Sequence, residues 1–130
     1  MLSQQIYDVI VIGVGPSRLF TSNLLAQDGI STVLIEKDAE IGKDVVCSGV
    51  NSNEAFERYN LPETAIVDAL KDAEFYSPGG IHIPYSHPEQ TVVVDRHKFD
   101  RELGNSAVKS GVEIFLDSRA SSIAVRGDYV

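Results

Sequence analysis

The run Ile6-Tyr7-Asp8-Val9-Ile10-Val11-Ile12 stops at Gly13, and Gly15-Pro16 follows at once. A short, nearly continuous β-branched run fits a strand buried on both faces, as in a parallel sheet. Gly13 permits a tight turn off that strand. Pro16 stands where a helix begins, because its missing N–H is one that the first helical turn leaves unbonded anyway. Leu19, Leu24 and Leu25 continue as a roughly helical apolar stripe, and Gly29 ends it. Thr32 to Glu36 is a second strand. The result is a strand–helix–strand unit of about the minimum length for a parallel crossover.

Residues 37–50 read as a long loop containing Gly42 and Gly49. A short helix is expected over Asn51 to Tyr59, with Asn51 as its cap and Glu54 three residues on as its capping-box partner. Glu63 to Leu70 reads as a further helical turn or two. Glu74 to Tyr76, Gly80 to Pro84 and Thr91 to Val94 read as strands of an antiparallel layer, separated by turn residues at Ser77 to Gly80 and Ser86 to Glu89. Asp95 can cap a helix whose Phe99, Leu103 and Ala107 recur every four residues, with Gly111 at its end. Val112 to Leu116 is a strand of the parallel type. Ser121 to Val125 begins another, and Gly127-Asp128 is a hairpin turn. The sequence stops at Val130, just after that turn, so a truncated C-terminus is expected.

The glycine corner carries the chemistry. Gly15 has no side chain to keep a diphosphate from the backbone, and the helix that follows offers N–H groups and a positive dipole end to that anion. Glu36 closes the second strand, where a carboxylate can accept both hydroxyls of an adenosine ribose and disfavours a 2′-phosphate. A strand, a glycine turn, a helix and an acid therefore agree on dinucleotide binding. The bland alternative is a helix-entry turn followed by a surface glutamate. One position departs from the fingerprint: Arg18 stands where the third glycine permits close helix–strand packing. Arginine there either pushes the helix outward or sends its side chain aside. It adds a cation near the diphosphate or weakens binding, and the local steric clash favours weakening.

Composition excludes several classes. A net charge of −8 with no Lys/Arg cluster argues against nucleic acid and anionic membranes as partners. No apolar run reaches the roughly 18 residues of a membrane span, and Met1 to Tyr7 lacks a signal-peptide layout. A single cysteine, Cys47, excludes an internal disulfide and a multi-cysteine zinc site. His82, His87 and His97 are dispersed, so no metal site is expected and each is read as a surface or strand-edge residue. The expected setting is the cytoplasm.

With these residues in view, the chain resembles the flavoprotein superfamily that contains aromatic hydroxylases and the geranylgeranyl reductases. Tyr7 to Pro16 is similar to the FAD-binding opening of that superfamily, and Leu34-Ile35-Glu36-Lys37 matches its second strand. Ile41 to Val50 is similar to the geranylgeranyl reductase loop in which a cysteine precedes a small residue and a glycine. Phe75 to Gly80 resembles the start of the substrate-side strands. Val94 to Leu103 resembles a helix carrying an FAD-contacting arginine.

The resemblance implies an α/β, Rossmann-like FAD-binding three-layer fold with a parallel sheet and a small antiparallel sheet. Residues 1–130 would be the N-terminal part of an FAD/NAD(P)-binding domain, with the cofactor loop and the first substrate-side strands in 37–94. It implies that Gly13, Gly15 and Ser17 face the diphosphate, that Glu36 serves the adenosine ribose, that Pro16 and Lys37 are also cofactor-binding, and that Ala120 backbone touches adenine. Arg96 would approach the FAD phosphate or ribityl group, and Cys47, Ser48 and Gly49 the isoalloxazine. Members reduce isoprenoid double bonds of prenyl lipids with reduced FAD, recharged by NAD(P)H or a ferredoxin-like donor. That adds an expectation of weak peripheral membrane association for a full-length enzyme.

Two side chains carry competing readings. Cys47, mostly protonated at neutral pH, suits a proton donor, or it is a small apolar residue in a packed loop. Arg96 opens a helix, where a cation is slightly unfavourable; it meets an anionic ligand or is simply solvated. Rival functions are a flavin monooxygenase on the same scaffold, a non-catalytic domain with impaired FAD binding, and, more remotely, an NAD-dependent dehydrogenase.

Overall fold

The structure is a computed structural model that describes residues 5–130, with residues 87–90 described by backbone alone. The readings of Met1 to Gln4 and of the His87 side chain fall outside the described residues. The chain divides into two compact units, Met1–Lys43 with Asp100–Val130, and Asp44–Phe99.

The first unit is built on a parallel sheet of three strands, β1 (Val9–Ile12), β2 (Thr32–Ile35) and β6 (Glu113–Phe115), in the order β1-β2-β6. Val9 pairs with Thr32, Ile12 with Ile35, Val33 with Glu113 and Ile35 with Phe115. The central strand β2 is buried over Thr32–Leu34. The expectation that the first strand is buried on both faces does not hold: β1 alternates, and Ile10 and Ile12 are 44% and 45% exposed. Among the described residues this strand is at the sheet edge, and the face that carries Ile10 and Ile12 is only partly covered.

Between β1 and β2 runs helix α1 (Pro16–Gln27), with Pro16 in its first turn and Leu19 fully buried. The rest of the expected stripe is looser, with Leu24 46% exposed. Ser22 is also fully buried, and its Oγ has no hydrogen-bond partner. Its small volume suits close packing, but an orphaned hydroxyl costs about 1–3 kcal/mol of lost hydration.

The second unit holds an antiparallel sheet, β3 (Val50–Ser52), β4 (Ile66–Tyr76) and β5 (His82–Val94), in the order β3-β5-β4. Helix α2 (Asn53–Tyr59) begins two residues later than expected. Its cap is Ser52, whose Oγ accepts from Ala55 N at 3.1 Å, not Asn51. With Ala55 three residues on, no capping box forms, and Glu54 lies in the first turn instead. Glu63 to Leu70 is also corrected: one 3-10 turn spans Glu63–Ala65, and from Ile66 the chain is strand. Pairing with β5 overrides local helix propensity there. The turn at Ser77 to Gly80 is present, closed by Ser77 N to Ile81 O at 2.9 Å. The second expected turn does not separate two strands: β5 continues from His82 to Val94, although its register against β4 shifts there, with Asp72 facing Ser86 and Leu70 facing Thr91.

Helix α3 (Arg96–Lys109) has the expected cap, with Asp95 Oδ1 accepting from His97 N at 2.9 Å. Phe99, Leu103 and Ala107 are all buried, and Phe99 lies 5.8 Å from the Phe56 ring. The strand expected at Ser121 to Val125 does not form. Only an isolated bridge between Arg126 and Tyr129 closes the Gly127-Asp128 turn.

Two substitutions check this packing by thermal or denaturant unfolding. Ser22→Ala is expected to raise stability by about 1 kcal/mol, since it removes a hydroxyl that bonds nothing; a loss of stability would show that the hydroxyl is satisfied. Gly49→Ala is expected to cost about 3 kcal/mol. Gly49 has φ +74, and a Cβ there collides with the Val94 carbonyl oxygen, so backbone strain and overpacking combine.

Candidate functional site

A cavity of about 250 Å³ opens at the carboxyl ends of β1, β2 and β6. Ligands of open α/β sheets bind at this end of the strands. Ile12, Gly13 and Arg18 line it from the first crossover, Ile35, Glu36 and Lys37 from the end of β2, and Ser118, Arg119 and Ala120 from beyond β6. The volume falls below the roughly 300–1,000 Å³ of whole small-molecule sites, so it suits one part of a large dinucleotide.

Gly13 turns the chain at φ +96, a conformation closed to most side chains, and its N–H donates to Ile35 O at 2.8 Å. Gly15 is different. It caps α1 in an ordinary extended conformation, φ −65 and ψ 159, so its lack of a side chain serves space and not backbone freedom. No side chain caps α1 and no acid lies in its first turn, so no side chain of the helix itself offsets the positive end.

Glu36 is 7% exposed. Its Oε2 accepts from Val14 N and its Oε1 from Asp38 N, both at 2.9 Å. Its backbone joins the third strand, through Glu36 N to Phe115 O at 2.8 Å and Ser118 N to Glu36 O at 2.7 Å. One residue thus ties together the three segments that make the cavity. Each carboxylate oxygen keeps a second lone pair, so the group can still accept from ribose hydroxyls while it holds the corner.

Lys37 Nζ donates to both Asp38 carboxylate oxygens at 2.8 Å. That bond holds the Asp38 carboxyl below its ordinary value, against partial desolvation. Arg18 stays on the solvent side of α1, yet it does not clear the corner. Its side chain is exposed but folds back, and a Cβ built on Gly13 or Gly15 would lie 3.4 Å or 3.2 Å from its Nη1. The glycine cradle is therefore lined by a guanidinium.

Of the residues singled out from the sequence, Gly13, Glu36, Lys37 and Ala120 line this cavity, and Gly15 adjoins it through Arg18. Pro16 and Ser17 lie in the first turn of α1, outside the lining. Cys47, Ser48, Gly49 and Arg96 belong to the second unit. There Cys47 and Ser48 are exposed and Gly49 is buried, with its carbonyl accepting from Val94 N and Asn51 Nδ2, both at 2.9 Å. Arg96 is half-buried and engaged by other groups. Arg119 and Ser118 were missed; their signal was their place just after a parallel strand. Among the described residues no cluster of three or more His, Cys, Asp or Glu could hold a metal, and no helix is long and apolar enough to cross a membrane.

These features fit the adenosine and diphosphate part of FAD: a bare-backbone corner at an uncapped helix end, beside a buried carboxylate with acceptor capacity left. Comparison with known proteins agrees. The chain is 34% identical to the digeranylgeranylglycerophospholipid reductase of Methanosarcina acetivorans over 132 residues, covering 98% of the chain and 32% of that protein. The enzyme of that name from Methanocaldococcus jannaschii is 34% identical over 127 residues, covering 95% of the chain and 32% of the enzyme. The chain thus spans about a third of the length of these curated relatives. A crystal structure of a geranylgeranyl bacteriochlorophyll reductase-like protein from Thermoplasma acidophilum superposes with a TM-score of 0.80 at 28% identity, over 93% of this chain and 32% of that one. The halogenase PltM, solved with phloroglucinol and FAD, shares the fold, with a TM-score of 0.72 at 18% identity over 94% of this chain and 30% of its own. The model of the FAD binding domain matches residues 6–130, and the chain belongs to that family of flavoproteins, among relatives of the geranylgeranyl reductase type.

Proposed function

We propose that this chain forms the FAD-binding portion of a flavin-dependent oxidoreductase that reduces isoprenoid C=C bonds in prenyl lipids. The observation that carries the reading is the shared cavity of the Gly13 corner and the Glu36 carboxylate. The names of the relatives, reductases of a geranylgeranylated phospholipid, support the substrate class.

In this reading Glu36 orients the adenosine ribose through its spare lone pairs while its two backbone bonds fix the corner. Gly13, Gly15, Pro16 and Ser17 present the first turn of α1 to the diphosphate. The Ala120 backbone serves adenine, and Lys37 steadies the loop after β2 through Asp38. FAD, once bound and reduced, would supply a hydride to one alkene carbon. Arg96 holds the phosphate or ribityl part, and Ser48 and Gly49 shape the loop beside the flavin ring. Cys47, an exposed thiol outside any disulfide, gives a proton to the neighbouring carbon. NAD(P)H or a ferredoxin-like protein recharges the flavin, and a prenyl-lipid substrate draws the full-length enzyme weakly to the membrane surface.

The purified chain mixed with FAD is expected to retain flavin, read as absorbance near about 450 nm that co-elutes with protein. Elution without flavin would remove the foundation of the reading. Glu36→Gln is expected to lower stability by about 1–2 kcal/mol, since an amide N–H₂ must face a backbone N–H, and to weaken FAD binding roughly tenfold in the same step. Unchanged affinity would take the ribose role away from Glu36. For the full-length enzyme, since this portion is not expected to be active alone, reduced FAD and a geranylgeranylated phospholipid under anaerobic conditions are expected to give added hydrogen at the alkenes by mass spectrometry. Cys47→Ala is expected to slow that addition by roughly 10²-fold or more, and an unaltered rate would exclude the thiol as proton donor. Oxygen uptake with a hydroxylated product would instead mark a monooxygenase.

A further inference from the structure

We infer that Arg18 is a phosphate ligand: a guanidinium standing at the third glycine position of the fingerprint grips the diphosphate of the dinucleotide at the Gly13–Gly15 corner. The inference rests on the FAD reading of this cavity and extends it to a residue that the fingerprint does not provide.

Position is the first argument. Although exposed at the surface, the Arg18 side chain lies over the corner and lines the cavity. Its Cδ and Nη1 are each 3.4 Å from a Cβ built on Gly13, and its Nη1 is 3.2 Å from one on Gly15. A freely solvated arginine has no cause to lie there. Charge is the second. The cavity lining carries Arg18, Lys37 and Arg119 against Glu36 alone, in a chain of net charge −8. Lys37 is neutralised by Asp38 at 2.8 Å, and Glu36 directs its oxygens to Val14 N and Asp38 N. Among the described residues no carboxylate forms an ion pair with Arg18 or Arg119. The Arg18 guanidinium therefore has no carboxylate partner at this cavity, and Arg119 adds a second cationic residue to the lining.

The third argument is the helix end. A cation in the first turn of α1 opposes the dipole, and no acid in that turn offsets it. An anion seated between the two reverses the sign of both interactions. The planar five-donor fork of arginine matches phosphate oxygens in pairs, which a lysine ammonium does not. The steric objection, that arginine at this position forces the helix off the sheet, loses its basis: Leu19, the next residue, is fully buried, while Arg18 turns to the open side.

Calorimetric titration of the full chain with ADP and with adenosine tests this. The unaltered chain is expected to bind ADP more tightly than adenosine. Arg18→Gln and Arg18→Gly are expected to weaken ADP roughly tenfold to hundredfold and to leave adenosine within about twofold, a split that a merely structural role would not produce. Arg18→Lys keeps the charge without the fork and is expected to lose part of the ADP preference; it also preserves the test if the glycine variant does not fold. ADP affinity that is equal or higher in Arg18→Gln or Arg18→Gly means that the guanidinium obstructs the corner, and the inference is overturned while the FAD reading stands. If the unaltered chain binds neither ADP nor FAD, the cavity is not a dinucleotide site, and both fall.

Discussion

The Glu36 carboxylate is the point on which the first unit turns. It is buried, it accepts one backbone N–H from the corner after β1 and one from the loop after β2, and its own backbone pairs with β6 and the segment beyond. Charge-assisted hydrogen bonds of this kind are about twice as strong as neutral ones. The cost of burying the charge is met by those bonds, and the geometry they fix is the geometry of the cavity. A group that appears from the sequence to exist for the ligand is, in the fold, first a fastener of the site.

That double duty explains why the cavity carries charge of both signs without collapse into internal ion pairs. Glu36 spends its strongest interactions on backbone donors, and Asp38 takes up Lys37. Arg18 lies over the corner and Arg119 is in the lining, neither of them in an ion pair among the described residues. Preorganised, partly unsatisfied donors of this kind favour an incoming anion because no internal contact has to be broken first. The second unit is arranged on other terms. Gly49 is pressed against the Val94 carbonyl, so the glycine of the cysteine loop is required by packing whatever else it does.

Much of this was legible in the residues. The β-branched run, Gly13, Pro16 and Glu36 dictate a strand–turn–helix–strand unit because each restricts the backbone locally, and that unit is present. Asp95, Phe99, Leu103 and Ala107 likewise announce a capped amphipathic helix. The errors cluster where pairing between distant segments decides. Ile66 to Leu70 carries a weak helical pattern but becomes strand against β5, and Ser121 to Val125 looks like strand but has no partner among the described residues. Asn51 lost the capping role to Ser52 because β3 pairing with β5 continues through Ser52, which delays the helix.

The sequence by itself determined the parallel crossover, the glycine corner, the acid that closes the second strand and the family to which they belong. The first three follow from φ restrictions, side-chain volume and short-range periodicity, all of which are properties of neighbouring residues; the family follows from the likeness of its motifs to those of known flavoproteins. Only the tertiary structure decided that Glu36 bonds Val14 and Asp38, that Lys37 is taken by Asp38, and that Arg18 lies over the corner it was expected to disturb. Those outcomes depend on where three strand ends meet in space, and a side chain's direction at such a junction is set by partners far away along the chain.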